Sequence, residues 1–197
     1  MALELNGTTG VSLVQDGVVT AADLASTLDL SGKTVTLPAG TGGKVLQVVS
    51  TVKTDASSTT STSFVTISGL SLSITPSSTS SKIYIMAMLH ASSDENYDGG
   101  AAWRIYRDGS VISGALGNSE GSRTTATAQA VSRASWNSKT TSILYLDSPA
   151  TTSATTYDFR IRGESGRGIV INKPYDNPDN SDRVRPICTI TLMEIAG

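Results

Sequence analysis

From residue 44 to residue 195 the chain is a succession of short apolar–polar alternations broken by Gly, Pro, Asp, Asn and Ser. Alternation with period two puts every second side chain on the same face of a strand. Residues 64–74 show it best: Leu70, Leu72 and Ile74 alternate with Ser71 and Ser73, Gly69 marks a bulge, and Pro76 ends the run. Residues 82–91 are apolar on both faces, the pattern of a central strand. Residues 103–107 and 111–116 flank Asp108-Gly109, a two-residue hairpin signal. Further strands are predicted at 44–53, 126–136, 142–146, 156–163, 168–172 and 185–195. About ten strands with no strong helix between them predict an all-β fold, a jelly-roll-like β-sandwich of two sheets.

Residues 1–43 follow another pattern. Short apolar pieces at 3–5, 11–14 and 34–37 alternate with glycines, and none is long enough to close a core. One short helix is predicted at 20–28, where Thr20 caps, Asp23 sits near the N-terminal dipole, and Leu24 and Leu28 share a face. So short a helix is marginal alone in water. Its leucines need a partner, which copies of the same segment in a trimer supply. Leu24, Leu28 and the nearby Leu30 are therefore candidate trimer or attachment contacts. The alternative is an arm that orders only on docking. The expected organisation is a stalk or arm over 1–43 and a β-sandwich domain over 44–197.

Composition sharpens the β reading. Hydrophobic residues make up 38% and charged residues only 16%, well below the usual ~25% for charge. Ser and Thr fill the gap, and Thr suits the solvent face of a pleated sheet. The net charge of −2, from scattered basic and acidic residues, provides no footprint for nucleic acid and no polybasic stretch for a membrane. The apolar run at 83–89 falls far short of the ~20 residues that a membrane helix requires. The first residues hold no basic region followed by an apolar stretch, so a signal peptide is not expected and a cytoplasmic origin is. One cysteine, Cys188, excludes an intrachain disulfide, which leaves packing and association to stabilise the fold.

Candidate chemistry is sparse. The single histidine, His90, follows an apolar strand with no nucleophile arranged beside it. Cys188 falls within the alternation at 187–192 and reads as a buried small side chain. The glycine-rich 38–44 segment fails the phosphate-loop pattern, because Val45 stands where Ser or Thr is needed. Among the many acidic pairs no spacing selects two for glycoside hydrolysis. No enzyme activity and no cofactor is expected. Two loops are richer. Asp94, Glu95, Tyr97 and Asp98 crowd one turn, and Tyr175, Asp176, Asp179 and Asp182 repeat that chemistry in another. Such oxygen-rich loops can serve calcium, but neither has a known calcium-loop spacing, and solvated turns share the composition. Tyr97, Trp103, Trp136 and Tyr175 are candidate aromatic faces for a sugar, although the alternation of Trp103 with Ile105 favours packing.

Several stretches resemble a known family. Leu37-Pro-Ala-Gly, Lys44-Val-Leu-Gln-Val-Val-Ser, Ser61-Thr-Ser-Phe-Val, Gly69-Leu-Ser-Leu-Ser-Ile-Thr-Pro-Ser-Ser and Ser80-Ser-Lys-Ile occur in that order. They are followed by Arg107-Asp-Gly, Gly121-Ser-Arg, Leu146-Asp-Ser-Pro and Thr191-Leu-Met-Glu-Ile-Ala. Together they resemble the β-domain of bacteriophage tail-fibre-like and other virion proteins. Asn6-Gly-Thr-Thr-Gly and Leu28-Asp-Leu-Ser-Gly-Lys-Thr-Val-Thr-Leu-Pro are similar to fibre shaft and connector pieces. The resemblance implies a structural protein of the virion, assembled in the host cytoplasm, that forms trimeric appendages with the N-terminus attached. The expected function is a tail fibre that docks on the tail baseplate through its arm and meets a host surface glycan with its sandwich. The alternative is a capsid decoration (cement) protein, a trimer clamping copies of the major capsid protein; an arm of 43 residues spans at most ~150 Å. Nucleic-acid binding and membrane insertion are not expected.

Overall fold

Alternation becomes register in the computed structural model, which describes residues 44–93, 101–130, 135–164, 166 and 168–197. The stalk or arm expected over 1–43, with its predicted helix and Leu24, Leu28 and Leu30, lies outside the described residues. The strands are β1 (Val45–Lys53), β2 (Ser57–Thr59), β3 (Val65–Ile74), β4 (Lys82–Ser93), β5 (Ala101–Arg107) and β6 (Ser110–Val111). After a 3-10 turn (Ser113–Ala115) come β7 (Ala128–Ala130), β8 (Lys139–Asp147), β9 (Thr155–Arg162), β10 (Ile169–Ile171) and β11 (Cys188–Ile195).

All pairings among these strands are antiparallel. Ile83–Met88 of β4 have partners in both β11 and β8, so β4 is central, as its two apolar faces predict. β1 flanks β11, while β10 continues along Ala91–Ser93 and carries β2. In the second sheet β9 lies between β3 and β5, and β6 and β7 pair with opposite ends of β5. Setting aside the short β2, β6 and β10, the sheet orders are β1-β11-β4-β8 and β3-β9-β5-β7. That interleaving of early and late strands is the jelly-roll arrangement of a β-sandwich.

The inner faces carry the core: Ile83, Ile85, Leu89, Ile190 and Leu192 from the first sheet meet Leu70, Trp103, Ile105, Phe159 and Ile161 from the second, all fully buried. Each such side chain contributes ~1.5–3 kcal/mol by leaving water. Two turns are as expected. Asp108 and Gly109 have φ of 49° and 80°, the left-handed pair that a tight hairpin requires. Gly69 has φ of 83°, and the β3 register shifts between Thr66 and Ser71.

Several expected strands have other bounds. The one at 111–116 stops at Val111, two residues before the 3-10 turn, and of the one at 126–136 the described residues show a strand at Ala128–Ala130 and Trp136 in a turn. The last strand starts at Cys188, because Pro186 has no N–H for a ladder.

Three polar groups hold distant segments together, the first of them across the two sheets. Asp147 on β8 accepts from Tyr157 Oη and Arg107 Nη1, each at 2.7 Å. The carboxylate of buried Glu194 accepts from the Ser77 N–H (2.7 Å), Ser77 Oγ (2.6 Å) and Gln47 Nε2 (2.6 Å). Burial alone pushes that carboxyl up, but the hydrogen bonds from Ser77 and Gln47 win and bring its pKa down to about 2. Asn172, left-handed at φ 59°, donates Nδ2 to the carbonyls of Lys53 (2.7 Å) and Asp55 (3.1 Å), holding the end of β1 to the loop after β10.

The two outer faces differ. On the second sheet, Arg104 lies 4.0 Å over the Phe64 ring, Arg160 lies 3.8 Å over Tyr106, and Arg160 pairs with Asp158 at 2.6 Å. Thr66, Ser71, Ser73 and Thr156 complete a polar surface. On the first sheet, one cross-strand row reads Val48, Met193, Tyr84, Leu146. The next rows read Ser50, Thr191, Met86, Leu144, then Val52, Thr189, Met88, Ser142. None of these residues is charged.

Candidate ligand-binding cleft

The loop between β10 and β11 is long for a jelly roll, and local bonds shape it. Proline and Asx chemistry dominate: the Asn180 N–H donates to Pro178 O (3.0 Å), the Asp182 N–H to Asn180 Oδ1 (3.0 Å), and the Arg183 N–H to Asn180 O (3.3 Å). Two contacts anchor it to the sandwich. Ser92 Oγ donates to Lys173 O at 3.1 Å, and the Asp176 N–H donates to Ser135 O at 2.8 Å. The second bond lays the loop against the turn that precedes β8.

Between loop and turn lies a cleft of about 220 Å³, walled by Trp136, Asn137, His90, Thr140, Asp182 and Val184. Trp136 is 55% exposed, unusual for the largest apolar side chain. Its ring is an apolar platform beside an amide, a carboxylate and an imidazole. His90 Nδ1 lies 3.2 Å from Thr140 Oγ1, and burial lowers the His90 pKa below its usual 6.5. The ring is therefore neutral at pH 7 and offers a donor and an acceptor without charge. A flat aromatic face with a few convergent polar groups suits a sugar ring, whose C–H face is apolar and whose hydroxyls need partners.

The acidic loop residues do not converge. Asp182 lines the cleft, whereas Asp176 faces Arg183 at 3.7 Å and Asp179 is exposed. Tyr175 packs away from the cleft, its ring against Gly168, where an added Cβ would come within 3.0 Å of Cε2. Among the described residues no group of three or more His, Cys, Asp or Glu is placed to hold a metal ion. Asp94, Glu95, Tyr97 and Asp98 lie outside the described residues. Trp103 is fully buried and belongs to the core. Sequence reasoning placed Trp136 inside a strand, though its Ser-Trp-Asn-Ser setting is that of a turn.

A larger hollow of about 510 Å³ lies beside β5 and β7, but Ala, Thr and Gly line most of it and no aromatic face does. The cleft at Trp136 has the richer chemistry. Burial pushes the Cys188 thiol pKa up, and Sγ donates to Asn172 Oδ1 at 2.9 Å. Among the described residues no helix is long and apolar enough to cross a membrane.

No family model matches the chain, and no curated protein sequence matches it. A solved structure of infectious bursal disease virus, Gt strain, is similar to it over 94% of this chain, with 14% identity and a TM-score of 0.40. The matched region spans about half of that structure's chain (47%). A likeness at that level assigns no function.

Proposed function

We propose that this chain is a non-enzymatic structural protein of a bacteriophage particle, a trimeric tail fibre whose sandwich contacts a host surface glycan through the Trp136 cleft. The observation that carries the receptor-binding part is an exposed tryptophan face set beside Asn137, Asp182 and a neutral His90. The particle assignment is supported by the ordered motifs from Leu37 to Ala196 that resemble virion β-domains. A cleft this small holds one sugar residue rather than a long oligosaccharide, so each site is weak. Three sites on one trimer, repeated over several fibres, raise the effective concentration enough to make weak sites useful.

Glycan-array binding by the full chain, with Trp136→Ala and Asp182→Asn beside it, tests this reading. The wild type binds a defined class of surface sugars, Trp136→Ala loses tenfold or more of that affinity (on the order of 1.4 kcal/mol), and Asp182→Asn loses less. Equal signals from wild type and Trp136→Ala sink it. Quantitative mass spectrometry of purified particles separates the fibre, present in few copies, from a capsid decoration protein, present at a number comparable with the major capsid protein.

A further inference from the structure

We infer that the outer face of the β1-β11-β4-β8 sheet is the surface on which copies of this chain pack against one another. Leu144 is 63% exposed and Val48 is 52% exposed. Met86 and Met88 lie beside them on β4 and Met193 on β11, so three of the four methionines in the chain share this face. Methionine is adaptable and recurs where one apolar surface must fit another.

Extent comes first. With strands ~4.8 Å apart and ~3.4 Å per residue, three rows on four strands, about six residues long, cover on the order of 400 Å² in projection. That is the scale of the largest apolar patch on a soluble protein, and patches of that size are often functional. A standard interface takes ~800 Å² of accessible surface from each partner, and a corrugated face of Leu, Met and Val exposes more than its projection.

Charge selects the occupant. The three cross-strand rows carry no charge, and Lys82 stands only at the rim. A charged partner would gain nothing here and would lose hydration, whereas the same uncharged face on neighbouring copies, turned inward around a threefold axis, leaves no charge unpaired. The opposite outer face, held by Arg160–Asp158 and the stacked arginines, shows how the same fold covers a sheet meant for water. This inference shares with the proposed function only the expectation that copies assemble. The Trp136 cleft plays no part in it.

Sedimentation velocity of the full chain at micromolar concentration is the test, with Met86→Glu/Leu144→Glu on this face and Ser73→Glu/Thr156→Glu on the other. The wild type and the control pair sediment as the same closed oligomer, and Met86→Glu/Leu144→Glu sediments as a folded monomer. If that variant fails to fold, peroxide oxidation of the wild type decides: Met88 oxidation slows several-fold as protein concentration rises through the assembly range. A monomeric wild type overturns the inference. So does an oligomer that survives Met86→Glu/Leu144→Glu, or a Met88 rate independent of concentration. A monomer that still binds glycan through Trp136 would sink the face and leave the cleft standing.

Discussion

The Tyr157 hydroxyl donates a 2.7 Å hydrogen bond to Asp147 Oδ2, and the two residues stand on opposite sheets. Arg107 reaches the same oxygen from the second sheet at 2.7 Å. A polar group with so little exposure needs partners, and both donors meet it. Tyr157→Phe removes one donor and should cost about 1–2 kcal/mol. Asp147→Ala strands the arginine and the phenol together and should cost more, about 3 kcal/mol. Urea titrations of the two variants check the order. Equal losses would mean that the bond from Arg107 adds nothing to the pair that Asp147 makes with Tyr157.

Glu194 makes the fold acid-sensitive in a defined window. Its folded pKa of about 2 lies below the usual 4.5, so its contribution is complete above pH 4.5 and is lost as the pH falls toward 2. The contribution is at most about 3 kcal/mol. Glu194→Gln should therefore be less stable than wild type at pH 7, with the gap closing by pH 2. A gap of constant size across that range would assign the loss to packing rather than to charge.

Cys188 should be silent until the sandwich opens. Burial raises its pKa, and its thiol proton is held by Asn172, so thiolate is scarce at neutral pH. A disulfide exchange reagent should label the native protein slowly and the urea-unfolded protein at once. Fast labelling of the native protein would mean that β11 frays from β4.

The two tryptophans should report on different surroundings. Trp103 is fully buried and Trp136 is 55% exposed. Iodide should quench one component of the emission. In Trp136→Phe the remaining emission should be blue-shifted and resist the quencher, with stability changed by no more than about 0.5 kcal/mol. Quenching that persists in Trp136→Phe would place Trp103 in contact with solvent.

The sandwich was legible because alternation and turn chemistry act locally. Leu70, Leu72 and Ile74 declared their strand, and Asp108-Gly109 declared its hairpin. β2 was not legible, since Ser57–Thr59 has no apolar member and pairs only because β10 is there to meet it. Trp136 was assigned to a strand because its apolar bulk extended the alternation of 126–136. Only the Asp176–Ser135 contact with the distant 172–187 loop turns it toward a cleft. Asp182 was named for its composition, and its place beside Trp136 depends on that same long-range contact. The apolar outer face was hidden differently: Tyr84, Met86 and Met88 were visible as a second apolar side of β4, but the matching residues on β1, β8 and β11 are aligned only by register.

Strand β11 has a consequence for how the molecule comes into being. It lies between β1 and β4, and Val45 is paired with Ile195. The central seam of the first sheet therefore stays open until the last strand of the unit has left the ribosome. No half of this jelly roll has a sheet of its own to complete. Its folding is a single, late event dominated by distant pairings, of the kind that runs in milliseconds to seconds rather than microseconds.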